Sequence, residues 1–317
     1  MHRNFALEAV RVTEAAAIAC YKWIGCGNER EADRAAVNAM RQALNILPID
    51  GTVVIGEGER DKAPMLYIGE KVGTGYGPEV DIALDPLEGT TICAHAGANS
   101  MAVVAIAEKG GFLHAPDVYM EKIAVGKGLP KDVASLDETP GKNVKNLAKA
   151  RKCDVSDLMV CVLDRPRHEE LIAKLREVGV RVKLISDGDV AGVISTVDPE
   201  KTDVHMYMGI GGAPEGVLAA AALRCTGGQM QGKLIFNSQN DRERAKRMGV
   251  DDLSRIYTLE DMASGNVMFS ATGVTDGPML GGIRRDGDKL VTHSIVMRSS
   301  TGTIRTIQAE HCRFKKS

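Results

Sequence analysis

Apolar and polar positions along this chain change period several times, and the changes mark out its elements. From Phe5 to Trp23, apolar and small residues (Leu7, Val10, Ile18 and a run of alanines) recur among charges at helical spacing, predicting a helix that stops near Gly25. Glu31 to Leu47 predicts a second helix, with Asp33 in its first turn. Thr52 to Ile55 reads as a short strand running into Gly56-Glu57-Gly58-Glu59-Arg60-Asp61, and Met65 to Ile68 as a further apolar segment before the turn Gly73 to Pro78. Val80, Ile82 and Leu84 alternate with Asp81 and Ala83, the period of a strand with one buried face, which Pro86 is expected to end. Ser100 to Ala107 and Tyr119 to Val125 predict two more strands.

Gly126 to Val144 has little periodicity and is rich in Gly, Pro, Lys and Asp, so the expected division is a lobe over 1–140 and a second over 141–317. Beyond it strands and helices alternate: 158–163, 166–178, 180–185, 189–196, 204–210 and 215–225. That βαβ texture predicts an α/β fold whose second lobe is a mostly parallel sheet. Asp241 to Met248 is a charged helix; Val267 to Val274, Leu290 to Arg298 and Thr303 to Cys312 read as strands, the last two a hairpin around Ser299 to Gly302.

Composition narrows the class of function. The 317 residues carry a net charge of −2 and 4% aromatics, which offers neither a basic footprint nor stacking platforms for nucleic acid, and no attraction to an acidic membrane surface. No apolar run reaches the length of a membrane span, and Glu8, Arg11 and Glu14 interrupt the N-terminal stretch where a signal peptide would be continuous, so a cytoplasmic protein is expected. Seven cysteines without Cys-x-x-Cys spacing and seven scattered histidines make an oxygen-ligated metal the better expectation than a sulfur or nitrogen site.

The candidate chemistry centres on Asp85-Pro86-Leu87-Glu88-Gly89-Thr90-Thr91. Two carboxylates stand beside a glycine and backbone amides able to receive an anion, a combination that repels the anion unless a hard cation lies between. By itself an Asp-x-x-Glu at a helix start is more often a capped turn favouring the helix dipole. Glu57 between two glycines, and Asp33 in a first turn, are further acids; Asp33 alone would more often be a capping residue. On the rim expected beyond the second lobe's strand ends lie Asp164 to His168, Asp187-Gly188-Asp189 and Gly209 to Glu215. The last resembles a dinucleotide loop only loosely, because Pro214 stands where a third glycine belongs, and an ordinary helix start fits it as well.

Asp85-Pro86-Leu87-Glu88-Gly89-Thr90 resembles the Asp-Pro-(Ile/Leu)-(Asp/Glu)-Gly-(Thr/Ser) signature of the metal-dependent, lithium-sensitive type of sugar and inositol phosphatases. The stretches 49–59, 63–73 and 207–216 look like the class II, GlpX-type fructose-1,6-bisphosphatases, and the likeness runs over nearly the whole chain. It implies a layered α/β/α/β/α fold with a metal- and phosphate-binding first lobe and a sugar-binding second lobe. It also implies manganese, or magnesium, held by Asp33, Glu57, Asp85, Glu88 and Glu215. Catalysis would fall to Thr90, Glu57 and Asp85, with Thr90 orienting the attacking water. Glu88, Gly89, Thr90, Tyr119, Arg167, His168, Asp187, Gly188, Asp189 and Gly212 would bind the substrate. The implied partners are a sugar bisphosphate and further copies of the chain, as a dimer or tetramer.

The activity so implied is hydrolysis of the 1-phosphate of fructose 1,6-bisphosphate in gluconeogenesis. Its rivals are a bisphosphatase that also takes sedoheptulose 1,7-bisphosphate, an inositol phosphate phosphatase, and a non-catalytic sugar-phosphate sensor. Two departures from the family pattern stand out: Gly27-Asn28-Glu29-Arg30 replaces the usual Gly-Asp-Lys ahead of the first acid, and the chain stops soon after Phe314.

Overall fold

A computed structural model describes residues 5–58 and 64–312. Glu59 to Asp61 of the expected acidic loop, Ala63 at the head of one family-like stretch, and the segment around Phe314 lie outside the described residues. The chain divides into two compact units, residues 1–112 with 265–317, and residues 113–264. This differs from the expected cut at 140: the last strands return to the first sheet, and Tyr119 to Val125 opens the second unit. Periodicity identifies a strand without naming its partner, so the return was not visible in the pattern.

In the first unit, eight strands form one sheet, ordered Arg284–Asp286, Lys289–Arg298, Val267–Gly273, Met101–Glu108, Glu79–Glu88, Asp50–Ile55 and Lys71–Val72, with Thr303–Cys312 also paired to Lys289–Arg298. Only the pairing of 50–55 with 79–88 is parallel. Val267–Gly273 is buried at every position, as befits a central strand. The helix Phe5–Cys20 buries Ala9, Val12, Ala16 and Ala17 in the same core as Ala32, Ala36, Met40 and Leu44 of the helix Glu29–Asn45. The alanines among them, Ala9, Ala16, Ala17, Ala32 and Ala36, let the two helices approach closely. Asn28 caps the second helix, its side chain accepting from the Glu31 amide at 3.2 Å, and Arg30 is exposed in the first turn. The expected hairpin spanning 290–312 is present. Met65 to Ile68 is not a strand.

The second unit holds a six-stranded sheet ordered Ile256–Thr258, Gln229–Ile235, Tyr119–Val125, Met206–Gly212, Met159–Leu163 and Arg181–Ile185. Two of its pairings are parallel, 206–212 with 159–163 and 159–163 with 181–185. The other three are antiparallel. The expectation of a mostly parallel sheet is therefore corrected: the α/β class holds, but both sheets are mixed. Tyr119–Val125, read as part of the first lobe, inserts antiparallel between two strands of this one. The helix Pro140–Arg151 falls in the aperiodic stretch read as a boundary; Thr139 caps it and Pro140 opens it. Among the described residues no helix is long and apolar enough to cross a membrane.

Candidate active site

The strand Glu79–Glu88 does not stop at Pro86. It continues to Glu88 through a register shift: Asp85 pairs with Val103 and Glu88 with Met101, so three steps on one strand face two on the other. In a regular strand, residues three apart point to opposite faces. The extra residue removes that opposition and turns both acids the same way. Their carboxylate oxygens accordingly lie within 4.8 Å of one another. Pro86 is tolerated because a bulge residue leaves the hydrogen-bond ladder. The bulge is fastened on both sides, the Leu87 amide donating to Asp85 Oδ1 at 3.0 Å and Ser100 Oγ to the Glu88 carbonyl at 2.9 Å. Gly89 follows with φ +77°, a left-handed conformation that suits glycine, and delivers the chain into the short helix Thr90–Ala94.

A matching irregularity lies on the neighbouring strand. The register of 50–55 against 79–88 shifts between Val53 and Ile55, just before Glu57. A Cβ on Gly56 would stand 2.2 Å from the Leu66 carbonyl oxygen, so only glycine lets the 64–69 segment come this near. The Glu57 amide donates to that same carbonyl at 3.1 Å. Glu70, buried, accepts from the Leu66 amide and from Arg41 Nε, the latter at 2.5 Å. Arg41 belongs to the helix that carries Asp33, so Glu70 ties that helix to the segment holding Glu57. Sequence reasoning passed over Glu70 and Ser100.

Electrostatics bind the acids of this unit into one group. Burial, and then the charge of Asp85, raise Asp33 from its ordinary 3.8 to about 6. Burial, and then the charges of Asp33 and Asp85, raise Glu57 from 4.5 to about 8. Half-buried carboxylates that resist ionisation together are the signature of a site completed by positive charge. The donors are all carboxylate oxygens, and such a set fits a hard divalent cation better than zinc or copper.

In the second unit, Arg167 stacks on the Tyr119 ring at 4.9 Å from its centroid, and its Nε and Nη2 donate to the Ile210 carbonyl at 3.1 and 2.9 Å. Tyr119, Gly212 and Glu215 line a cavity of about 420 Å³ with Asp117, Asn237 and Asp241. Glu215 sits in the first turn of the helix Ala213–Thr226, and its carboxylate folds back over Gly212, where a Cβ would stand 1.9 Å from Oε2. Asp187 lies 3.6 Å from Arg165 Nη2, and Gly188, at φ +82°, starts the helix Asp189–Ile194.

Two assignments look different in place. His168 is 1% exposed; its Nε2 accepts from the Ile210 amide at 2.7 Å and its Nδ1 stands 2.7 Å from the Leu163 carbonyl. Accepting at Nε2 puts the proton on Nδ1, and burial holds the ring's pKa below its ordinary value. Both nitrogens thus serve backbone groups, so His168 holds the loop beneath Arg167 and has no atom left for a ligand. Asp189 is 5% exposed, and its Oδ2 accepts from Lys122, a lysine buried to 1% that also donates to the Gly212 carbonyl at 2.8 Å. Lys122 was missed, yet it left a signal: it is in phase with buried Met120 and Ala124 on one strand face.

Comparison with known proteins agrees with this chemistry. Residues 3–311 match the family model described as bacterial fructose-1,6-bisphosphatase, glpX-encoded. The chain belongs to that family. Among curated proteins it is 49% identical over 329 aligned positions to fructose-1,6-bisphosphatase 1 class 2 of Escherichia coli (strain K12), covering 100% of this chain and 97% of the relative. Fructose-1,6-bisphosphatase class 2 of Shigella flexneri matches with the same identity and coverage. A solved inositol monophosphatase from Anabaena (Nostoc) sp. PCC 7120 aligns over 61% of this chain and 71% of its own, at 13% identity and a TM-score of 0.32, which is a slight likeness.

Proposed function

We propose that this protein hydrolyses the 1-phosphate of fructose 1,6-bisphosphate, yielding fructose 6-phosphate and phosphate, in gluconeogenesis. The observation that carries the reading is the bulged Asp85–Glu88 pair leading directly into Gly89 and Thr90, in a chain that is a full-length relative of class 2 fructose-1,6-bisphosphatases. Phosphate monoesters need rate factors of up to ~10²¹, of which a general base supplies only about 10² to 10⁴. A divalent cation held by Asp33, Glu57, Asp85, Glu88 and Glu215 would supply Lewis-acid polarisation of the phosphoryl group and a lowered pKa for the attacking water. Manganese is the cation the resemblance favours, with magnesium as the alternative.

The chain's own groups divide the remaining work. The amides of Gly89 and Thr90 hold the scissile phosphate, and the Thr90 hydroxyl orients the water. Glu57 would take a proton from that water. The Arg167 guanidinium, stiffened by the Tyr119 ring and the Ile210 carbonyl, meets the second phosphate; Asp187 and the Gly188 and Gly212 backbone face the sugar. A second phosphate bound away from the breaking bond selects the substrate without taking part in the chemistry.

Phosphate release from fructose 1,6-bisphosphate, measured with manganese, with magnesium and with chelator, tests the assignment. Metal-dependent release is expected, and binding without release would establish a sensor instead. A kcat/KM clearly higher for sedoheptulose 1,7-bisphosphate would reassign the substrate.

A further inference from the structure

The loops assigned to the sugar are joined by a group that the proposed reaction does not use. Lys122 lies in the middle of the strand Tyr119–Val125, among side chains that exclude water, and is 1% exposed. Its ammonium donates to Asp189 Oδ2 and, at 2.8 Å, to the Gly212 carbonyl. These partners come from different places in the chain. Asp189 closes the Asp187-Gly188-Asp189 turn at the start of one helix, and Gly212 ends a strand just before the helix that carries Glu215. The fit around the ammonium is tight: a Cβ on Gly211 would stand 1.9 Å from Asp189 Oδ2 and 3.0 Å from Lys122 Nζ, and one on Gly216 would stand 3.4 Å from Lys122 Cδ.

A buried lysine is stable only when paired, and a hydrophobic residue of similar length would fill the same volume without needing a partner. A salt bridge here must therefore do something that packing alone does not. What it does geometrically is set the Asp187–Asp189 turn against the Gly212 peptide, fixing the distance between two backbone segments that a sugar would touch.

We propose that Lys122 is a positioning residue for the sugar end of the substrate, acting through Asp189. The inference rests on the proposed activity, and it predicts a defect in binding with the chemical step spared. In Lys122→Met that folds cooperatively, KM for fructose 1,6-bisphosphate rises tenfold or more while kcat stays within about threefold of wild type. A purely stabilising lysine would lower the melting temperature and leave KM alone, so KM within twofold of wild type in the folded variant overturns the proposal.

Where Lys122→Met does not fold because Asp189 is left charged and buried, the neutral pair Lys122→Met/Asp189→Asn is compared with wild type. KM tenfold or more above wild type with kcat within about threefold is expected; KM within twofold of wild type overturns the proposal. Wild-type protein run alongside keeps the two readings apart. If it releases no phosphate, the activity assignment falls, and the same comparison is read from the Kd of fructose 1,6-bisphosphate by calorimetry, with the same tenfold and twofold criteria.

Discussion

Replacing Glu57 by Gln should stabilise the metal-free protein while destroying its response to metal. Burial and the charges of Asp33 and Asp85 hold Glu57 at a pKa of about 8 in the folded chain, against an ordinary 4.5. The native state therefore keeps a proton that the unfolded state has released. Below about pH 4.5 both states are protonated and Glu57 costs nothing; as pH rises toward 8, stability is lost. At about 1.4 kcal/mol per pH unit, the gap comes to about 5 kcal/mol once both states are ionised, of which about 3 kcal/mol accumulates between pH 5 and 7.5. Glutamine fills the same space without ionising. At about 2–4 °C per kcal/mol for a unit of this size, Glu57→Gln in chelator should melt about 6–12 °C above wild type at pH 7.5, with little difference at pH 5. Manganese should reverse the order, because binding stabilises the native state by mass action and the variant lacks one ligand. Calorimetry or dye-based melts at the two pH values, with chelator and with manganese, give all four comparisons. If the variant in chelator melts below wild type at pH 7.5, or the difference does not change with pH, the argument that these acids are held together against their repulsion is wrong.

Thr90→Ala should lower kcat by 100-fold or more with KM near wild type, and steady-state kinetics showing near-normal kcat would remove the hydroxyl from its assigned task. Glu215→Ala should raise the manganese concentration for half-maximal activity at least tenfold, read from a metal titration. His168 is held neutral by burial and by accepting from the Ile210 amide, so its contribution is present above the ordinary pKa of 6.5 and is lost progressively as pH falls from there through its lowered folded-state value; urea unfolding between pH 7 and 5 should show a shallower loss for His168→Gln than for wild type. Gly89→Ala, forced to φ +77° with its new Cβ 3.0 Å from Ile92 Cδ1, should cost about 1–2 kcal/mol in stability and lower kcat through the displaced Thr90.

How much of this was legible varied with the kind of information each feature needs. Element type followed from local periodicity, and the helices at 5–20 and 29–45 and the hairpin 289–312 stand where the pattern put them. Pairing was not legible, because a strand's alternation says which face is buried but not which neighbour covers its edge. That is why 119–125 was placed in the wrong lobe, why the C-terminal strands were not seen to return, and why the βαβ texture promised more parallel pairing than exists. The strands Gln229–Ile235 and Ile256–Thr258 were missed for a related reason: in the first, Gln229, Gln231 and Lys233 alternate with Met230, Gly232 and Leu234, but a glycine on the apolar side weakens the signal.

The site itself depends on a departure from regularity that the sequence announces only ambiguously. Asp85 and Glu88 are three apart, a spacing suited to one face of a helix and wrong for one face of a strand, and Pro86 between them reads as a strand's end. Both signals are honest locally, yet the chain satisfies them with a bulge: Pro86 falls where no ladder hydrogen bond is required, and the added residue brings Glu88 round to the side of Asp85. The adjoining strand has its own shift between Val53 and Ile55, two residues before Glu57. Two neighbouring strands thus lose their register at the same end of the sheet, each just ahead of an acid. A regular sheet would have spread these carboxylates over both faces, where each would be solvated and ordinary. The irregularity gathers Asp85 and Glu88, while burial and then the charge of Asp85 raise the pKa of Asp33, and burial and then the charges of Asp33 and Asp85 raise that of Glu57. Restoring the register by inserting one residue beside Ala102 on the partner strand, so that three steps face three, should therefore return Glu88 to the opposite face and abolish metal activation even though every acid remains in the sequence.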